Sequence, residues 1–164
     1  MEPSPTAGKM PKMGPRKKDN YLKDFLRWAE FSGLEISPNA RDLMKIDARP
    51  ALCAAMVAAE LGHFQEFHHP AYRARWCEGR DISRREVLAE LLTDAGLDAD
   101  AALEQADAAA TQAELERQTQ AAIDRGMFGV PTIFIGDQMF WGNDRFELVR
   151  FYLQRTAAGD RAAG

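Results

Sequence analysis

Along most of this chain, apolar positions recur every three or four residues, as they do on one face of a helix. From Asn20, the positions Tyr21, Phe25 and Ala29 share a face, with Leu22 and Leu26 beside it, and Gly33 marks the end. The stretch from Glu35 to Asp47, which contains Pro38, reads as irregular. Pro50 suits the first turn of a second helix ending at Gly62, whose Ala51, Ala54, Ala55, Ala58 and Ala59 favour close packing. A third helix spans His63 to Glu78 with a kink or break at Pro70, and Phe64, Phe67, Tyr72 and Trp76 are expected in the core. Ser83 with Glu86 forms a capping box for a fourth helix ending at Gly96. Asp98 to Ala108 is a short Ala-rich helix, and Thr111 with Glu114 opens another that runs to Arg125.

The pattern changes at Gly126, the favoured residue just past a helix end. Thr132 to Ile135 is β-branched and aromatic, Gly136-Asp137 makes a two-residue turn, and Gln138 to Phe140 returns as a second strand. Asn143 or Asp144 caps a last helix with Phe146, Val149 and Leu153 on one side. Met1 to Gly14, with three prolines and two glycines, reads as loop. The expected organisation is a flexible N-terminal loop at 1–19, a helical insert at 20–125, a hairpin-and-helix half at 126–156 and a frayed tail at 157–164. There is no internal repeat.

Composition narrows the classes of function. The 164 residues suit one domain with a sizeable core. A net charge of −4, from 21 basic and 25 acidic residues interspersed, argues against nucleic acid as the main partner. No apolar run is long enough to span a bilayer, and the polar N-terminus lacks the apolar core of a signal peptide. Cys53 and Cys77 form no C-x-x-C pair, so disulfide exchange lacks its redox couple and a cytoplasmic location is expected. His63, His68 and His69 match no common zinc spacing, and no metal is expected. Cys53, on an Ala-rich face, reads as a small buried hydrophobe, and Arg80-Asp81 with Arg84-Arg85 as a solvated charged helix start.

Helix, loop, hairpin and helix is the order of the second half of a thioredoxin-like fold. G-V-P-T followed by M-F-W-G-N-D-R resembles the C-terminal signature of the 2-hydroxychromene-2-carboxylate isomerases, relatives of kappa-class glutathione transferases in the DsbA-like thioredoxin superfamily. R-K-x-x-x-Y near residue 20, R-W-A-E-F-S-G-L, and W-C-E-G-R-D-I-S at Trp76 to Ser83 are similar to that family's helical insert, so the likeness covers about Pro15 to Tyr152. It implies an α/β, DsbA-type thioredoxin-like fold with a large helical insert. The family's sheet also draws strands from an N-terminal β-α-β unit, which takes roughly 30 residues or more. No strand pattern precedes Asn20, so the unit is expected to be absent and the chain mostly helical with a C-terminal hairpin.

The resemblance implies a glutathione-dependent isomerase acting on a small aromatic substrate in aromatic-compound breakdown. A kappa-like transferase, a DsbA-family oxidoreductase and a non-catalytic truncated relative are the alternatives. Val130, ahead of an expected cis Pro131, matches the residue whose backbone pairs with the tripeptide, a form of strand addition. Trp141, Gly142, Asn143 and Asp144 match the loop and helix start that hold its γ-glutamyl end, where free N–H groups suit a carboxylate. Lys17 resembles a lysine that reaches glutathione. Gly8-Lys9 stands where the family often has Gly-Asn, which puts a neighbouring substrate contact in doubt. The family's thiolate-stabilising serine is expected in the absent segment, since none of Ser4, Ser32, Ser37 and Ser83 sits at a strand-to-helix turn. Relatives pair as dimers, and a homodimer is among the expected partners.

Overall fold

The structure is a computed structural model and describes residues 14–162. Its elements are α1 (Pro15–Phe31), α2 (Ala40–Leu43), α3 (Arg49–Glu60), α4 (Phe64–Trp76), α5 (Arg85–Asp94), α6 (Ala99–Asp107), α7 (Ala109–Asp124), β1 (Thr132–Ile135), β2 (Gln138–Trp141), a 3-10 turn (Asn143–Arg145) and α8 (Phe146–Ala162). They fall into two compact units, 1–117 and 118–164, so the division lies within α7 rather than at its end.

In the first unit α3, α4, α5 and α6 surround one core. Alanines form much of it: Ala51, Ala54, Ala58, Ala71, Ala74, Ala102 and Ala106 are buried beside Val57, Phe67, Leu88, Leu91, Leu92 and Leu103. Small side chains let helix axes approach closely, so the larger residues fill the remaining gaps to crystal-like density. Cys53 is buried among them, and its burial pushes the thiol pKa up, which keeps it unreactive.

Several helix boundaries differ from the sequence reading. The first helix begins at Pro15, not near Asn20, because proline fits the first helical turn where no amide partner is needed. Residues 15–19, expected as loop, are therefore helical. Tyr21 is exposed, whereas Phe25 packs on Trp76 at 5.6 Å between ring centroids and Ala29 is buried. Ser83 is not a cap: Asp81 accepts from both its amide and its hydroxyl, and Arg84 takes the position before α5. Those bonds hold the Asp81 carboxyl below its usual pKa. Thr111 lies inside α7 and its hydroxyl donates to the Gln105 carbonyl at 2.7 Å. Around Arg80 and Arg85 the charged residues are paired, with Glu90 and Asp107 respectively, rather than merely solvated. At the C-terminus α8 continues to Ala162, through most of the expected tail.

The α4 helix runs without interruption through Pro70. Phe67 is 1% exposed, but Phe64 and Tyr72 face outward and sandwich His68, with ring centroids 4.7 Å away on each side. Partial burial, with His69 adjacent, lowers the His68 pKa.

The Asp98 carboxylate accepts from the Ala101 amide at 3.1 Å and caps α6. Asp98→Ala is expected to lower unfolding free energy by about 1 kcal/mol, the usual worth of such a cap. Urea denaturation checks this, and an unchanged midpoint would refute it.

Candidate functional site

The site lies in the second unit and is built from the end of α7 outward. The Gly126 amide donates to the Ile123 carbonyl at 2.8 Å and the Met127 amide to that of Ala122 at 3.0 Å, with Gly126 at φ +94°. This paired helix ending satisfies two terminal carbonyls and sets the direction in which the chain leaves. Phe128 follows at once, 67% exposed. The strands then pair antiparallel, with Thr132 opposite Trp141 and Ile133 opposite Phe140. Trp141 thus belongs to β2, one residue beyond the expected strand end. Phe140 and Val149 are buried, and Phe140 packs on Tyr152 at 5.4 Å. Of Phe146, Val149 and Leu153, which the sequence places on one side of the last helix, only Val149 is buried; Phe146 and Leu153 are exposed. The Arg125 guanidinium lies 3.9 Å over the Phe134 ring and donates to the Gly136 carbonyl, tying the helix end to the hairpin turn.

Between α7 and β1 the loop is held at both sides of Val130. The Thr132 hydroxyl donates to the Gly129 carbonyl, and the Gly142 amide donates to the Pro131 carbonyl at 3.0 Å. The Val130–Pro131 bond is cis. Val130 itself is 81% exposed, and among the described residues no hydrogen bond engages its amide or carbonyl. A main-chain donor and acceptor left open on a segment pinned on either side is the arrangement that an added extended peptide uses.

Trp141 lies over this loop. Its ring centroid is 5.1 Å from that of Phe128, and a Cβ on Gly129 would stand 2.8 Å from its Nε1. Only glycine leaves room for the indole there. Gly142 has φ +115° and ψ 149°, and the Asp144 Oδ1 lies 2.5 Å from where its Cβ would be. The bond from Gly142 to Pro131 brings Asn143 and Asp144 next to the Val130–Pro131 segment in the fold. Both are exposed, and the Asp144 carboxylate pairs with Arg145 at 3.0 Å. Neither acts as the expected side-chain cap: they form a single 3-10 turn ahead of α8.

The structure therefore brings Val130, Pro131, Trp141, Gly142, Asn143 and Asp144 together. Lys17 lies in the first turns of α1, its side chain outside the described residues, as are Ser4 and Gly8-Lys9. Ser32 follows the end of α1, Ser37 bonds Asn39 and Ser83 bonds Asp81, so none of these belongs to the site. Phe128 went unrecognised in the sequence reading. Its signal was an aromatic residue immediately before G-V-P-T.

The DSBA-like thioredoxin domain family matches residues 1–154. The 2-hydroxychromene-2-carboxylate isomerase of Sphingobium xenophagum is 39% identical over 101 residues, 62% of this chain and 52% of that protein. Its namesake from Pseudomonas putida is 31% identical over 153 residues, 87% of this chain and 71% of that protein. The chain thus spans about half the length of the first relative. The solved structure of a selenomethionine 2-hydroxychromene-2-carboxylate isomerase is similar with a TM-score of 0.71 and 26% identity, over 93% of this chain and 76% of that one.

Proposed function

The chain belongs to the DSBA-like thioredoxin domain family, and on that premise we propose that it is a glutathione-dependent isomerase acting on 2-hydroxychromene-2-carboxylate or a close aromatic analogue. Its thioredoxin-like fold carries a large helical insert and a C-terminal hairpin, as the motifs led one to expect. The observation that carries the functional reading is the open main chain of Val130, held between the bonds to Gly129 and Pro131 and beside the turn at 143–145.

The residues present fit a tripeptide. The Val130 amide and carbonyl pair with its extended backbone, adding one short strand to the loop. The exposed Asp144 carboxylate holds the α-ammonium group of the γ-glutamyl end, and the nearby Arg145 guanidinium, already paired with Asp144, turns to the α-carboxylate. Trp141 walls the site and excludes water from one side. Glutathione, when bound, supplies a sulfur nucleophile able to add reversibly to a conjugated double bond and so free it to rotate. The names of the relatives support the substrate class, a benzo-fused oxygen ring bearing a hydroxyl and a carboxylate on one carbon.

Calorimetric titration of glutathione tests this reading directly. The protein is expected to bind it, and Asp144→Ala to bind about five- to tenfold more weakly, as suits one exposed charged contact. Absence of any binding heat with millimolar glutathione, confirmed by equilibrium dialysis, would sink the proposal.

A further inference from the structure

The two strands of the hairpin differ in kind. Along β2 only Phe140 is buried and its neighbours are exposed, as on an outer strand with one covered face. Along β1, Thr132, Ile133, Phe134 and Ile135 are all half-buried, and the run carries no charge and no proline. That is the pattern of a strand inside a sheet, without the features that keep an exposed edge from pairing. Yet among the described residues β1 pairs on one side only. The Gly142 amide donates to the Pro131 carbonyl, so alternation along the ladder turns the main-chain groups of Ile133 and Ile135 toward β2. The N–H and C=O groups of Thr132 and Phe134 therefore point away from it, and among the described residues none of the four has a hydrogen-bond partner.

The covering helix shows the same one-sidedness. Val149 of α8 is buried, and Tyr152 meets Phe140 of β2. At about 100° per residue, Phe146 and Leu153 fall on the flank of Val149 opposite Tyr152, toward the free edge of β1. They are 55% and 52% exposed. Within 118–164, Phe140 and Val149 are the only buried apolar side chains among the described residues, and a two-stranded hairpin alone is marginal in water.

We propose that a second copy of this chain pairs antiparallel along that edge, with the two-fold axis at Ile133. This register sets Thr132 against the partner's Phe134 and Phe134 against the partner's Thr132, so all four open groups of each copy are paired. Ile133 stands opposite Phe140 in the hairpin, so it meets the partner's Ile133 on the face that α8 covers. Both α8 helices then lie on that face of a four-stranded sheet, and Phe146 and Leu153 of each copy turn toward the other. An unrelated extended peptide would satisfy the main chain but leave that flank bare, which is why the occupant is a second copy. The interface is small, so the dimer is expected to dissociate in the micromolar range. The inference does not rest on glutathione binding.

Sedimentation velocity on the full chain, from low micromolar to millimolar concentration, reads the association. Wild type is expected to pass from monomer to dimer. Leu153→Glu is expected to weaken the dimer about tenfold or more with unchanged circular dichroism, because a carboxylate then replaces an apolar contact on each side of the axis. Two cysteine variants, each in a Cys77→Ser background that leaves only the buried Cys53, locate the edge. Ile133→Cys is expected to give a disulfide-linked dimer on mild oxidation, since residues at a non-hydrogen-bonded antiparallel pair stand close enough to bridge. Met139→Cys, on the outer strand, is expected to run as a monomer on a denaturing gel. A wild type that stays monomeric at millimolar concentration, a dimer that Leu153→Glu leaves unchanged, or cross-linking at 139 as readily as at 133 overturns the proposal.

Discussion

Phe67→Ala is expected to lower the unfolding free energy by about 3–5 kcal/mol, the range for truncating a buried aromatic residue to alanine. The ring is 1% exposed and belongs to the cluster that α3, α4, α5 and α6 share. Its neighbours are largely alanines and leucines anchored on helices that other contacts hold in place. They cannot collapse into the space it leaves, so a cavity adds to the lost transfer energy. The companion variant is Tyr72→Ala, one of the outward-facing residues on the same helix and 59% exposed. It is expected to cost about 1 kcal/mol or less, as suits a partly exposed ring that loses one stacking partner, His68. Urea denaturation followed by circular dichroism separates the two. Equal costs would mean that the buried line of α4 is not the one running through Phe67, Ala71 and Ala74.

That contrast also shows what the sequence could convey. Phe64, Phe67, Tyr72 and Trp76 read as core positions; Phe67 is buried, but Phe64 and Tyr72 are exposed, and the buried line continues through Ala71 and Ala74. Alanine carries little hydropathy signal, so a core built on small residues hides behind the larger rings beside it. The capping boxes failed for a related reason. Ser83 and Glu86 have the right spacing, but Asp81 lies two residues upstream and accepts from the Ser83 amide and hydroxyl first. At Thr111 the good helix formers Ala109 and Ala110 start α7 two residues earlier. The hairpin was legible because its signals agree: a β-branched run, a Gly-Asp turn and an alternating return strand whose inward residue is Phe140. The site residues came from one motif and lie together in one unit, while Lys17 belongs to the other.

Gly142→Ala is expected to reduce glutathione affinity at least tenfold while leaving the helical unit folded. At φ +115° and ψ 149°, Gly142 occupies a region that side-chain-bearing residues enter only at a cost of about 1–3 kcal/mol. A Cβ there would also stand 2.5 Å from the Asp144 Oδ1, so the carboxylate and the backbone cannot both keep their places. Relaxing φ turns the Gly142 amide away from the Pro131 carbonyl, the bond that sets the 143–145 turn beside Val130. One methyl group thereby disturbs the main-chain platform and the charged contact together, which makes its effect larger than that of Asp144→Ala. Gly136→Ala is the matched control. Gly136 also has positive φ, at +56°, but a Cβ there meets nothing within 4 Å and the turn lies at the far end of the hairpin. That variant is expected to cost about 1 kcal/mol of stability and to bind glutathione as wild type does. Calorimetry on both, with circular dichroism to show retained helix, decides the matter. If Gly142→Ala binds glutathione with unchanged affinity, the turn at 143–145 does not hold the ligand, and Val130 would have to bind it alone.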